Sequence, residues 1–61
     1  MWNFLFAFNE YSENEGENFF VETDTLQNAW KIVANNFDLD EVEFCGKYSP
    51  LEAEILGYDT Y

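Results

Sequence analysis

Trp2-Asn3-Phe4-Leu5-Phe6-Ala7-Phe8-Asn9 sets a large aromatic at every second position with smaller residues between. This is the period of a strand that buries one face, and it predicts a strand over residues 2–9. The stretch from Glu10 to Asn18 is polar and turn-rich, and apolar character returns in Phe19, Phe20 and Val21. Two such runs around a polar loop predict a β-hairpin with an acidic tip.

Downstream the period changes. Leu26, Ala29, Trp30, Val33 and Phe37 fall at i, i+3, i+4, i+7 and i+11, one stripe of a helix over residues 25–36 with Asn35 and Asn36 as terminators. Asp24 or Thr25 can cap it, and with Asp24 as N-cap, Gln27 completes a capping-box pattern. After the connector Asp38-Leu39-Asp40, Val42 and Phe44 alternate with Glu41, Glu43 and Cys45 as a short third strand that Gly46 and Lys47 end. Ser49-Pro50-Leu51-Glu52 is a helix start: an N-cap serine, a proline where its missing N–H costs nothing, and a glutamate at the third position. Leu51, Ile55 and Leu56 are expected to face inward, and Gly57 to stop the helix.

The expected fold is α+β: a small three-stranded antiparallel sheet with one long and one short helix, order β-β-α-β-α, a single domain over residues 1–61. Both helices are expected on one sheet face. Leu5, Ala7 and one of Phe19 or Phe20 would then point away from them and leave an apolar outer surface. An exposed edge strand would also allow two copies to pair as a homodimer.

A chain of 61 residues buries only about 60% of the surface that its unfolded form exposes. Aromatics make up 21% of it and hydrophobic residues 48%, which argues against a disordered acidic segment. Thirteen carboxylates against two lysines leave a formal charge of −11, with no Arg and no His. Direct binding to nucleic acid or to an anionic membrane needs cations that this chain lacks. Met1 to Phe8 is apolar, but Asn3, Asn9 and Glu10 interrupt it too early for a signal peptide or a membrane span.

Cys45 is the sole cysteine, so the chain reads as a protein of a reducing compartment, the cytoplasm. As a nucleophile it would need a base or a positive surrounding, and the negative field works against the thiolate; a structural, half-buried thiol is the expectation. Hydrolytic triads and zinc sites cannot be assembled without His, Arg or a second Cys. No catalytic residue, cofactor or metal is assigned. The run Asp38 to Glu43 invites calcium, but Glu43 stands where the calcium-binding loop needs glycine and Ser49 where it needs a bidentate glutamate.

Charge of one sign costs a small domain stability through self-repulsion, which points to a use for it. The candidate partner-binding residues are the clusters Glu10/Glu13/Glu15/Glu17, Asp38/Asp40/Glu41/Glu43 and Glu52/Glu54, with Tyr11 and Tyr48 as aromatic anchors. On one strand face Glu41 and Glu43 would stand roughly 6.6–6.8 Å apart, near the phosphate spacing along a DNA strand. Small size, strong negative charge, abundant aromatics and scarce Lys and Arg resemble the DNA-mimic inhibitors that phages encode against host nucleases, restriction enzymes, CRISPR effectors and uracil-DNA glycosylase. The resemblance lies in overall character across the whole chain. It implies a non-enzymatic inhibitor acting in the host bacterial cytoplasm on the basic groove of a nucleic-acid-binding protein, such as a nuclease or CRISPR effector. The alternative is an assembly module that pairs through a sheet edge, its charge serving solubility.

Overall fold

The hairpin forms as the alternation predicts. In the computed structural model, which describes residues 1–61, strands β1 (Trp2–Phe8) and β2 (Asn18–Thr23) pair antiparallel, with Phe4 opposite Val21 and Phe6 opposite Phe19. Helix α1 (Leu26–Asn36) follows. Its N-cap is Thr25, whose side chain accepts from the Asn28 backbone N–H, so the box with Asp24 and Gln27 is not the one that forms. A 3₁₀ turn (Leu39–Glu41) leads into strand β3 (Val42–Tyr48), then helix α2 (Pro50–Leu56) and strand β4 (Asp59–Thr60).

The α+β class stands, but the three-stranded antiparallel sheet does not. The sheet has four strands in the order β3-β1-β2-β4, and it is mixed. β3 pairs antiparallel with β1, whereas β4 runs parallel to β2, Phe19 opposite Asp59 and Phe20 opposite Thr60. Two residues carry no periodicity for a sequence reading to detect. What fixes them is aromatic packing on both sides of β2: Tyr58 meets Phe20 at 5.8 Å between ring centroids, and Tyr61 meets Phe19 and Phe37 at 5.1 Å.

β3 also runs further than expected, through Gly46 and Lys47 to Tyr48, because a bulge at Cys45 absorbs one residue between Phe44 (opposite Phe6) and Gly46 (opposite Leu5). An extra residue flips all later side chains to the other face. Gly46 and Tyr48 therefore share the face of Leu5 and Phe20, and α2 departs from that face.

The two helices consequently lie on opposite faces, not on one. α1 covers Phe4, Phe6, Phe19, Val21 and Val42, packing Ala29 and Val33 among them. Trp30 stands edge-on to Phe6 at 4.9 Å, and Phe37 to Phe8 at 5.1 Å. The face expected to be bare is covered: Phe20 is fully buried and Leu5 nearly so, under Tyr48, Tyr58 and α2. Those tyrosine rings occupy the space over Phe20, so α2 sits beside them with only Ala53 half-buried. Leu51, Ile55 and Leu56, expected inside, are 66%, 75% and 43% exposed.

The start and stop of α2 are as read from sequence. Ser49 Oγ accepts from the Glu52 N–H at 3.2 Å while Glu52 Oε1 accepts from the Ser49 N–H at 3.1 Å. Gly57, at φ 73°, ends the helix in the left-handed conformation that a side chain disfavours.

Candidate partner-binding surface

Asn9 joins the two acidic segments at one end of the sheet. Its Nδ2 donates to the Asp40 carbonyl at 2.8 Å, its backbone N–H to the Glu41 carbonyl at 2.9 Å, and its Oδ1 accepts from the Tyr11 N–H at 2.9 Å. Asn9, through its side chain to Asp40 and its backbone N–H to Glu41, thus ties the β1–β2 loop, which carries Glu10, Glu13, Glu15 and Glu17, to the α1–β3 connector, which carries Asp38, Asp40 and Glu41. The loop is turned on itself by Ser12, Glu15 and Glu17 N–H groups donating to Asn9, Ser12 and Asn14 carbonyls. On the connector, Asp38 Oδ1 accepts from the Asp40 N–H at 3.2 Å and caps the 3₁₀ turn. Tyr11, Asp38, Asp40 and Glu41 line a shared open depression.

The rest of the fold sharpens this polarity. α1 starts beyond Thr23, at the far end of β2, and finishes where Phe37 packs on Phe8 and Phe19 beside the acidic loop. α2 finishes at Gly57, which shares a surface depression with Gly16, Glu17 and Asp59. Both helices therefore aim their carbonyl ends, the negative poles of their dipoles, toward the same end. The two lysines lie elsewhere: Lys31 in the middle of α1, and Lys47 opposite Phe4 with its Nζ 4.1 Å from the Trp2 ring centroid.

Not every residue of the candidate set joins this end. Glu41 closes the 3₁₀ turn and does not begin a strand, so the strand spacing expected between Glu41 and Glu43 does not exist. Glu43 pairs opposite Ala7 on the α2 face. Glu52 and Glu54 are on α2, apart from the loop cluster, with Glu54 near Glu22. Tyr11 stands at the acidic end, 75% exposed, while Tyr48 is half-buried beneath α2. Sequence reading left out Asp59, which lines a surface depression with Glu17 because β4 docks on β2; no pattern in the tail signals that placement.

Two groups titrate away from their ordinary values. Hydrogen bonds from Ser49, first through its backbone and then its side chain, hold the Glu52 carboxyl below the usual range. Desolvation, and secondarily the Glu43 carboxylate, raise the Cys45 thiol. Cys45 is exposed at the bulge, not half-buried as expected, because the extra residue turns out of the sheet. No three acidic or thiol side chains group as metal ligands, and no helix is long and apolar enough to cross a membrane. β3 is a sheet edge, with the bulge, Glu43 and Lys47 as features that discourage strand addition.

Comparison with protein families, with characterised proteins and with solved structures finds no significant match.

Proposed function

We propose that the chain is a non-enzymatic inhibitor whose acidic end occupies the basic nucleic-acid-binding groove of another protein and excludes its DNA or RNA. The observation that carries this reading is the Asn9 tie, which holds seven carboxylates of two separate segments (Glu10, Glu13, Glu15, Glu17, Asp38, Asp40 and Glu41) at one end of the sheet. A charge serving solubility alone has no need of a clamp against its own repulsion. Both helix dipoles and the distance of both lysines reinforce the field at that end.

The mechanism is steric and electrostatic. A concentrated negative pole steers the encounter with a basic groove and makes association fast and salt-sensitive. Tyr11, standing out of the acidic end, contributes apolar contact with a polar tip. Nucleases, restriction enzymes and CRISPR effectors in the bacterial cytoplasm are the target class, and a phage-encoded anti-defence protein is the setting such an inhibitor fits. The free thiol of Cys45 accords with a reducing compartment.

The test is affinity capture from a bacterial lysate followed by a displacement assay. The expected result is recovery of a nucleic-acid-binding protein, release of its labelled DNA or RNA by the chain, and an association rate that falls steeply between low and physiological salt. Recovery of no such protein, or binding indifferent to salt, contradicts the proposal.

A further inference from the structure

A second recognition feature lies where α2 leaves β3. Tyr48, Glu52, Ile55 and Leu56 line a notch of about 220 Å³. Its aromatic wall is fixed in place. The Tyr48 ring lies over Gly46, where an added Cβ would come within 3.2 Å of the ring, and it meets Phe20 edge-on at 5.9 Å. Its carboxylate is also fixed: Glu52 Oε1 accepts from the Ser49 N–H, which leaves Oε2 for an outside donor. Ile55 and Leu56 supply aliphatic surface, exposed by 75% and 43%.

We propose that this notch receives an arginine side chain of a protein partner, its guanidinium on the Tyr48 ring and paired with Glu52, its aliphatic stem along Ile55 and Leu56. The combination selects among side chains. A purely apolar side chain would desolvate Glu52 without a partner. A planar guanidinium stacks on an aromatic face and pairs with a carboxylate at once, whereas an ammonium is a strongly hydrated point charge that does not stack. The methylene stem covers the apolar wall while the head stays at the rim. A second copy cannot supply the group, because the chain has no arginine. Charge complementarity with a chain at −11 favours a basic partner. The assignment of that partner rests on the function proposed above: its groove would contribute the arginine.

The test is an NMR titration of the intact chain with the peptide acetyl-Gly-Arg-Gly-amide, alongside its citrulline and lysine counterparts. The arginine peptide is expected to give saturable shifts at the Tyr48 ring and the Ile55 and Leu56 methyls. The lysine peptide should bind about threefold more weakly, and the uncharged citrulline peptide should not saturate. Glu52→Gln should weaken the arginine peptide about fivefold while leaving α2 formed, because glutamine also completes a capping box. Saturation by citrulline, equal affinity in Glu52→Gln, or shifts confined to the Glu10–Glu17 loop would each overturn the notch. The last of these would leave the acidic-end proposal intact. A notch that takes the arginine peptide in a chain that displaces no nucleic acid would refute the inhibitor reading alone.

Discussion

Replacing Asn9 by alanine removes the side-chain part of the tie between the two acidic segments, keeps the backbone bond from its N–H to the Glu41 carbonyl, and leaves every charge in place. The side chain makes two hydrogen bonds, to the Asp40 carbonyl at 2.8 Å and from the Tyr11 N–H at 2.9 Å. At about 1 kcal/mol net for each, discounted for exposure, the loss is about 1–2 kcal/mol. Repulsion adds to it. Two carboxylates about 10 Å apart cost about 0.4 kcal/mol in water before screening, and four loop carboxylates face three on the connector. For a chain of this size the melting temperature should fall by about 5–15 °C. The deficit should narrow in about 1 M NaCl, where the screening length is about 3 Å. Thermal unfolding by near-ultraviolet circular dichroism at low and high salt measures the first effect, and hydrogen exchange at the Tyr11 amide the local one. An unchanged melting temperature with unchanged Tyr11 exchange would refute the clamp.

Gly46→Ala places a Cβ 3.2 Å from the Tyr48 ring, which also meets Phe20 edge-on; a loss of about 1–3 kcal/mol in urea denaturation is expected from the overpacking. Tyr61→Ala removes edge-on contacts with Phe19 and Phe37 and should cost about 1–2 kcal/mol, with loss of protection at the Tyr61 amide, now bonded to the Phe20 carbonyl at 2.8 Å. Ser49→Ala removes the side-chain half of the α2 capping box, about 1 kcal/mol. It raises the Glu52 carboxyl only part of the way to its ordinary value, readable by carboxyl-carbon NMR, because the residue-49 N–H still donates to it. Because that carboxyl titrates low in the folded chain, the stability it contributes is complete above its unfolded pKa and fades as pH falls through the folded one. The gap between wild type and Ser49→Ala should therefore be widest near neutral pH and shrink in acid.

Local chemistry was legible in the sequence where one element determined it. The period-two run from Trp2 to Phe8, the stripe through Ala29 and Val33, and the Ser49–Glu52 box each formed within about a residue of the expected bounds. What escaped depends on pairing between distant segments. The Cys45 bulge changes which face Gly46 and Tyr48 occupy, and nothing in Phe44-Cys45-Gly46 announces the shift. From it follow the placement of α2 on the second face and the exposure of Leu51 and Ile55. The parallel strand Asp59–Thr60 likewise exists because Tyr58 and Tyr61 straddle β2. Of the candidate binding residues, those on the two loops were brought together by Asn9, a residue read only as the last of the first strand and as a break in its apolar run. Glu52 and Glu54 were separated from them by the topology, and Glu43 was turned to the α2 face.

The most direct test of the acidic end compares two variants of equal charge. Glu13, Glu15 and Glu41 replaced by Gln, and Glu22, Asp24 and Glu54 replaced by Gln, Asn and Gln, each raise the net charge from −11 to −8. None of the six side chains makes a hydrogen bond within the fold. In the assay of nucleic-acid displacement from the captured protein, the first variant should lose affinity about tenfold and the second should match wild type. Equal losses in both variants, or none in the first, would contradict a localised binding end and reduce the charge to a property of the whole surface.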